Sequence, residues 1–466
     1  MRGIRLVHTH LQEESLTRDD LTDLALLRLD LIAAIGVKEG LPGNIHAAHL
    51  MPPGSEKTIE ILYEQDFHRF DLDFMSFIES LEEEMQRKRA FHSDERREKA
   101  ILVSVSMRPK HEMEDSMEEL KELARSSDVL VLDAIIQKPK AINPKYLIGE
   151  GKLKELIINA MNRGATLLIF DQELNPSQIK AVTDFTELKV IDRTQLILDI
   201  FARRAHSRDG KVQVELAQLK YRLPKLTGKG TAMSRLMGGI GGRGPGEMKL
   251  EVDRRRVRDR ISLLEKELEL LGEARRQRSR RRAQRDIPII SIIGYTNAGK
   301  STLLNTLTRS ALFVENRMFA TLDTASRRLR FPREREVIIT DTVGFIRDLP
   351  KDLMAAFRAT LEELGDANLL LHLIDISNAR FEQQIKSVEK ILEELSLSDK
   401  TRLLVFNKTD KVPAEEAAFL ARRYDAAAIS ALNQSTLKPM LDRIESLVFI
   451  PHTDFSDNGK IEEVRI

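Results

Sequence analysis

Residues 294–301 constrain the fold of this chain more than any other stretch, because they read GYTNAGKS. They follow the apolar run 289–293, and a helical apolar pattern begins after them at Leu303. A strand, a loop with the spacing GxxxxGKS and a helix together are typical of a phosphate-binding loop. Its glycines let backbone N–H groups turn toward phosphate oxygens, and the helix amino end adds partial positive charge. A glycine turn with a chance lysine would not explain the full spacing in this context.

The residue types in this loop predict specific roles. Lys300 can reach the β- and γ-phosphates and is a catalytic candidate, and the Ser301 hydroxyl can ligate Mg²⁺. We expect the whole loop to contact nucleotide through Gly294, Tyr295, Thr296, Asn297, Ala298, Gly299, Lys300, Ser301 and Thr302.

A second motif, TDTVG at residues 340–344, ends the apolar run that begins at Val337. Asp341 can hold the metal through water, and the Gly344 N–H can meet the γ-phosphate with no side chain in the way. Gly344 is therefore a second catalytic candidate. The predicted nucleotide contacts of this motif are Asp341, Thr342, Val343 and Gly344.

A third motif, NKTD at residues 407–410, follows another apolar run and selects guanine. The Asp410 carboxylate can accept from the ring N–H and the exocyclic amine, a donor pair that adenine lacks, and the Lys408 stem can cover the base. A backbone N–H from residues 430–432 can meet the guanine oxygen. The predicted contacts are Asn407, Lys408, Asp410, Ser430, Ala431 and Leu432. All of these motifs in order, each at a strand end, predict a GTP-binding domain.

The motifs GYTNAGKS, FATLD (319–323), DTVGF (341–345) and NKTD, with GGIGGRGPGE at 238–247, resemble the HflX family of translation-factor-related GTPases. The resemblance covers roughly residues 98–450, and its glycine-rich signature is the most specific part. It implies hydrolysis of GTP to GDP with Mg²⁺, and association with the large ribosomal subunit and its RNA. It also implies splitting or rescue of stalled ribosomes by a cytoplasmic protein, which we expect to be a monomer.

The first switch is predicted between the first two motifs, with Phe319, Ala320 and Thr321 near the nucleotide. Thr321 is the first choice for the second protein oxygen on Mg²⁺ and for a catalytic role. Thr324 remains an alternative, because this chain has a hydroxyl-bearing threonine where family members commonly have proline. Phe345 occupies the place where many small GTPases have a water-orienting glutamine, so hydrolysis is predicted to be slow until the ribosome completes the site.

The predicted fold class is α/β, with a GTPase domain preceded by a small α/β domain with a helical hairpin and by a further N-terminal α/β module. The predicted boundaries are 1–97, 98–205, 206–286 for the hairpin with its glycine-rich basic loop, 287–450 for the GTPase domain and 451–466 for a short tail. Family members often carry a further small C-terminal domain, for which this tail is too short.

The N-terminal module is predicted to begin with a strand at residues 3–7. An amphipathic helix should follow from Thr17 to about Ile35, then a turn at 40–43 and a charged helix over about 74–97. His8, His10 and Asp20 distantly resemble the metal motif of JAB-type metalloproteases. Their spacing is one residue short, and the upstream glutamate of those enzymes is absent. We therefore expect two strand histidines and a helix-start aspartate rather than an enzymatic metal site.

Residues 98–205 alternate strand and helix, which predicts a parallel sheet. The segment YLIGEGK at 146–152 precedes a helix and could meet an anion, although a tight turn is the simpler interpretation. In the HflX family this domain is linked with a second nucleotide or RNA activity. An ATP-dependent RNA-remodelling enzyme using this domain is therefore an alternative function, and a regulatory binding module without RNA is another.

Residues 206–286 are predicted to form two helices around a glycine-rich basic tip at 228–246, with Lys229, Arg235 and Arg243. Arginines cluster at 254–256 and 275–282 with few acidic partners, which favours polyanion binding over a solvated helix face. The chain of 466 residues has no cysteine, which excludes thiolate metal sites, and it has no apolar run of membrane-spanning length and no signal-peptide pattern.

Overall fold

The computed structural model of the protein describes residues 3–11, 13–27, 29–51, 59–92, 97–186, 188–226, 245–283, 287–308, 318–319, 325–331, 335–342, 344–347, 354 and 361–449. The chain divides into two compact units, Met1–Arg203 with Gln218–Ser262 and Arg204–Ala217 with Leu263–Ile466. The described residues form three sheets with helices between their strands, which confirms the predicted α/β class. Within this described part, no helix is both long and apolar enough to cross a membrane.

The first sheet is mixed and contains four strands in sequence order. β1 pairs in parallel with β2, and the later pairs are antiparallel. The strands are β1 (Arg5–His10), β2 (Leu31–Lys38), β3 (Leu41–Leu50) and β4 (Ile59–Glu64). Two helices accompany the sheet, α1 (Arg18–Leu26) and α2 (Phe74–His92). A capping box at Thr17 and Asp20 begins α1, as the sequence predicted.

The predicted helix to Ile35 is wrong, because α1 ends at Leu26 and Leu31 begins a strand. β2 lies between two neighbouring strands and is buried along most of its length, and its residues 31–37 contain no polar side chain. Such a run has no alternation that distinguishes a strand from a buried helix. The predicted turn at 40–43 is also displaced, because Glu39 and Gly40, at φ 52° and 84°, form the two-residue hairpin turn.

The second sheet is entirely parallel, as the alternating pattern of residues 98–205 predicted, and its strand order is β6-β5-β7-β8. Its strands are β5 (Lys99–Val105), β6 (Leu130–Gln137), β7 (Leu167–Phe170) and β8 (Lys189–Asp192). The accompanying helices are α3 (Lys110–Ser126), α4 (Glu150–Asn162), α5 (Pro176–Thr183) and α6 (Arg193–Arg204).

Two long helices follow, α7 (Arg208–Lys225) and α8 (Pro245–Ala283). Most of the predicted basic tip, residues 228–244, lies outside the described residues, as do the side chains of the arginines at 275, 276, 278 and 280–282. Ile261 and Leu264 of α8 are buried.

The third sheet contains six strands in the order β10-β11-β9-β12-β13-β14. Only the β10–β11 pairing is antiparallel among these described strands. The strands are β9 (Ile289–Ile293), β10 (Ala325–Arg330), β11 (Glu336–Asp341), β12 (Leu369–Asp375), β13 (Arg402–Asn407) and β14 (Ala427–Ala428). The helices are α9 (Lys300–Thr308), α10 (Phe381–Glu394), α11 (Ala414–Arg423) and α12 (Lys438–Phe449). Because the parallel strands share one carboxyl edge, the motifs that follow β9, β11 and β13 meet there. The predicted tail, 451–466, lies outside the described residues.

Candidate nucleotide site

The predicted phosphate-binding loop joins β9, a central strand, to α9. Gly294, Asn297 and Gly299 have φ values of 148°, 64° and 96°, a region that glycine and asparagine tolerate best. The two glycines are also required by contact. A Cβ added at Gly294 would collide with the Leu373 carbonyl oxygen, and one at Gly299 would collide with the Asn407 amide nitrogen.

Lys300 is buried beneath this loop. Its ammonium donates to the carbonyl oxygens of Gly294, at 3.2 Å, and Tyr295, at 3.0 Å. Burial lowers the pKa of Lys300 to about 8, and the charge of Asp341 opposes that shift. A Cβ at Gly344 would lie only 3.0 Å from the Lys300 Nζ, so the second motif approaches the ammonium without a side chain. A cation held in this way is suited to neutralise phosphate oxygens.

Ser301 and Asp341 bring two hard oxygen ligands together, since the Ser301 hydroxyl donates to Asp341 Oδ2 at 2.6 Å. Asp341 ends β11 beside β9, and its side chain is only 1% exposed. The next residue, Thr342, donates its hydroxyl to the Ile292 carbonyl at 2.7 Å and fastens the strand end. Buried oxygen ligands of this kind suit Mg²⁺.

The phosphate-binding loop is joined by hydrogen bonds to residues 345–347, which follow the second motif. Thr296 N–H donates to the Phe345 carbonyl at 2.8 Å, and Phe345 N–H donates to the Gly294 carbonyl at 3.1 Å. The Arg347 N–H donates to the Tyr295 hydroxyl at 2.7 Å. The Phe345 ring is 2% exposed and packs in a core cluster with Ile293. Phe345 therefore has neither the chemistry nor the position to orient a water molecule.

In the part of the site predicted to bind guanine, the side chain of Asn407 connects its own motif to the phosphate-binding loop and to residues 430–432. Its amide nitrogen donates to the Ala298 carbonyl at 2.8 Å, and its side-chain oxygen accepts from the Ala431 N–H at 2.8 Å. Asp410 Oδ1 accepts from the Ser430 hydroxyl at 2.6 Å. The side chain of Asn407 is thus used to hold the loops in register, leaving Asp410 as the base-reading candidate.

Lys408 has a left-handed backbone, with φ 63°, and its ammonium lies 2.6 Å from Asp375 Oδ2. Asp375 ends β12, the strand between β9 and β13. This ion pair sets the direction of the Lys408 stem, which the sequence predicts to cover the base.

Residues 430–432, predicted to meet the guanine oxygen, are held by two threonine hydroxyls. The Thr436 hydroxyl accepts from the Ser430 N–H at 2.9 Å, and the Thr306 hydroxyl donates to the Ala431 carbonyl at 2.6 Å. Leu432 is 78% exposed. Because the Ala431 N–H already donates to Asn407, the segment has a fixed shape whichever N–H meets the guanine oxygen.

The structure thus places the described motif residues along one edge of the third sheet. Phe319 is also described, is 2% exposed and has φ 56°. Thr302 lies in the first turn of α9, which begins at Lys300. Ala320, Thr321, Val343 and the alternative Thr324 lie outside the described residues. The roles of all these residues remain predictions.

The sequence interpretation missed Asp375, Thr306 and the Tyr295 hydroxyl. A signal was available only for Asp375, which follows the apolar run 369–374 as Asp341 follows its own run. The partners of Thr306 and Tyr295 are more than 50 residues away along the chain, at separations of 125 and 52 residues, so no local pattern marks them.

Two candidates lie outside the nucleotide site. Lys152, in the anion-binding candidate at 146–152, pairs with Glu155 at 3.2 Å within its own helix, and the segment forms a tight turn into α4. The side chains of His8, His10 and Asp20, by contrast, converge on one another.

Three models of known families match successive parts of the chain. They are described as GTP-binding GTPase N-terminal over residues 114–202, GTP-binding GTPase Middle Region over residues 204–285 and 50S ribosome-binding GTPase over residues 289–408. These matches do not support the alternative of an ATP-dependent RNA-remodelling enzyme.

Relatives match across most of the chain. A GTPase HflX of Caldanaerobacter subterraneus is 49% identical over 353 residues, which are 76% of this chain and 81% of that protein. A GTPase HflX of Escherichia coli is 44% identical over 313 residues, 67% of this chain and 73% of its own. A solved GTP-binding protein from Sulfolobus solfataricus, in complex with GDP, is 26% identical with a TM-score of 0.41 and covers 75% of this chain and 98% of its own.

Proposed function

The chain belongs to the HflX family of GTPases, and we propose that it uses GTP hydrolysis to act on the large ribosomal subunit, splitting or rescuing stalled ribosomes. It binds GTP and GDP and hydrolyses GTP to GDP and phosphate, as its family and its GTPase domain require. One observation carries the placement of this chemistry. The buried ammonium of Lys300, the Ser301–Asp341 oxygen pair and Gly344 lie together at the phosphate-binding loop.

Ser301 and Asp341 fit a magnesium ion, because both offer oxygen ligands at the buried end of β11. The Ser301 hydroxyl would ligate the ion directly, and the Asp341 carboxylate would hold it through water. Thr321 completes the proposed set from the part of the chain that is not described. When bound, the ion would neutralise negative charge on the phosphate oxygens.

The burial of Phe345 supports slow unaided hydrolysis, because the side chain after Gly344 is directed into the core rather than toward the phosphates. Another group must therefore position the attacking water, and we assign this group to the ribosome. Single-turnover hydrolysis with and without large subunits tests the assignment. A rate near 1 s⁻¹ without ribosomes, within the roughly 1–100 s⁻¹ of complete phosphoryl-transfer sites, would contradict it.

Exposed arginines on α8 support an RNA partner. Arg255, Arg256 and Arg258 are exposed, and Arg256 lies 3.8 Å from Asp253, at the limit of an ion pair. Exposed pairs of this kind contribute little, so the guanidinium groups are available to phosphate oxygens at small cost. The ribosomal RNA backbone is the polyanion that we propose for this surface.

Sedimentation with ribosomes tests the proposed partner. The full chain should co-migrate with large subunits in the presence of a GTP analogue and less with GDP, and the co-migration should weaken as salt rises. Arg255→Gln with Arg258→Gln should weaken it, whereas Lys386→Gln with Lys390→Gln on α10 serves as a charge-matched control. Equal co-migration with both nucleotides, or none with either, would overturn the proposed action on the ribosome while leaving GTP hydrolysis intact.

A further inference from the structure

A second cluster of chemically active side chains lies in the N-terminal sheet, in the first of the two units. His8 and His10 are two residues apart on β1, so both side chains project from the same face. Asp20 is the third residue of α1, and its carboxylate meets both imidazoles. We propose that His8, His10 and Asp20 form a site for one zinc-class divalent cation.

The distances between the ligand atoms fit a single ion. The two Nε2 atoms are 3.0 Å apart, His8 Nε2 lies 3.3 Å from Asp20 Oδ1, and His10 Nε2 lies 3.5 Å from Asp20 Oδ2. Ligands about 2.0–2.1 Å from a tetrahedral zinc are separated from one another by about 3.4 Å. The observed separations are of that size, and the two imidazoles face different oxygens of Asp20. Taking one ligand atom from each residue, all three lie within 4.8 Å of one another, so a shift of the carboxylate brings one of its oxygens to an ion that both imidazoles share.

The hydrogen bonding of His10 explains why a cation is favoured there. His10 Nδ1 lies 3.2 Å from the Glu14 carbonyl oxygen, which can only accept, so Nδ1 carries the proton in the neutral ring. The lone pair of Nε2 then faces both the Asp20 carboxylate and His8. A proton on His8 Nε2 can be donated well to only one acceptor, either His10 Nε2 or the Asp20 carboxylate. A cation between the three groups can be ligated by all of them. A carbonyl that fixes the ring of a ligating histidine is common at metal sites.

The Asp20 carboxylate is held in place before any ion binds. The N–H and the hydroxyl of Thr17 both donate to Asp20 Oδ2, each at 2.7 Å, as part of the capping box of α1. The other oxygen, Oδ1, faces His8. The site therefore joins strand β1 to the first turn of α1 through ligands whose positions are already fixed, which lowers the entropic cost of binding.

The ligand types select the class of ion. Imidazole nitrogens favour zinc and other first-row transition metals, whereas magnesium and calcium favour oxygen ligands such as Ser301 and Asp341. Three protein ligands leave the fourth tetrahedral position to water. Within the described ranges, no other group of three or more histidine and acidic side chains converges in this way.

Cobalt uptake by the full chain tests the proposal. Chelator-treated protein, saturated with Mg²⁺ and GDP to occupy the nucleotide site, is titrated with Co²⁺ and then with Zn²⁺. We expect one Co²⁺ per chain with the strong visible absorption of tetrahedral coordination, displaced by Zn²⁺. Zinc affinity should fall by about 100-fold or more in His10→Gln and in Asp20→Asn, and not in His111→Gln, a matched change at an exposed histidine of α3.

A readout without substitutions guards against variants that fold poorly. Hydrogen exchange of the wild-type chain should slow in β1 and in the first turn of α1 when Zn²⁺ is added. The proposal is overturned if the wild type shows no tetrahedral Co²⁺ spectrum or no such slowing, or if the folded variants, identified by unchanged GDP affinity, bind Zn²⁺ as the wild type does.

Discussion

Replacing Asn407 by alanine should weaken nucleotide binding even though Asn407 is not the base-reading residue of its motif. The substitution removes both hydrogen bonds that connect the phosphate-binding loop, β13 and residues 430–432, each 2.8 Å long. Asn407 is 2% exposed, so water has little access to the groups left behind. The Ala298 carbonyl and the Ala431 N–H would then lose their asparagine partner at the same time.

The size of the effect follows from these two bonds. Leaving one buried polar group unsatisfied costs about 1–3 kcal/mol, so the two together cost about 2–6 kcal/mol. The lower figure corresponds to about 30-fold in an equilibrium constant. Part of this free energy lowers the stability of the folded state, and part weakens nucleotide binding by displacing the loops of the site. We therefore expect GDP affinity to fall by at least about tenfold and the unfolding midpoint to fall as well.

Titration with a fluorescent GDP analogue and thermal unfolding measure the two parts. Asn368→Ala is the matched control, because Asn368 accepts one bond, from the Ile289 N–H at 2.8 Å, at the exposed start of the neighbouring strand. Its GDP affinity should stay within about twofold of wild type. An Asn407→Ala variant with wild-type affinity and stability would refute the argument that Asn407 organises the site.

Three further predictions concern the same domain. Asp410→Asn should lower GTP affinity by about 30-fold, because losing a charged hydrogen-bond partner costs about 2 kcal/mol, and it should raise the relative affinity for XTP. Competition binding with the two nucleotides measures both effects, and unchanged GTP affinity would remove Asp410 from the base site. Lys300→Ala should reduce phosphate release from GTP by about 100-fold or more, because the buried charge beside Gly344 is lost, and near-wild-type turnover would contradict the assignment. Burial, with the positive charges of Arg402 and Lys300, lowers the pKa of His372 to about 3. As pH falls below about 6.5, His372 is protonated in the unfolded chain but stays neutral in the folded chain until about pH 3. The free energy of unfolding therefore decreases over this window, by up to about 1.4 kcal/mol per pH unit. Urea unfolding of His372→Leu should show a weaker pH dependence than wild type over this window, and an identical slope would exclude His372 as its source.

The parallel sheet of residues 98–205 could be predicted because a helix follows each of its short apolar runs. Placing Asp341 and Asn407 at strand ends was enough to bring their motifs to one edge of the third sheet. The helix predicted to extend to Ile35 was wrong, because the apolar run there has no feature that distinguishes a strand from a helix. β2 is covered along most of its length, and the sequence has no polar alternation to reveal a strand.

The side-chain partners within the site could not be predicted, because they depend on long-range contacts. Nothing local in NKTD indicates that Asn407 reaches Ala298, 109 residues earlier, or that Lys408 pairs with Asp375. The histidines and Asp20 were correctly placed on a strand and at a helix start. Their convergence depends on where the chain brings the start of α1 relative to β1, which the sequence spacing of His8, His10 and Asp20 does not specify.

The hydrogen bonds between the phosphate-binding loop and residues 345–347 restrict movement of the chain after Gly344. Thr296, Phe345 and Tyr295 tie the first residues after Gly344 to the loop, and the Phe345 ring anchors them in the core. Moving this start of the segment would require breaking three hydrogen bonds and exposing a buried ring together. Gly344, which we propose to meet the γ-phosphate, is thus followed by residues 345–347 in a fixed position, so a signal from the nucleotide would begin at a rigid point.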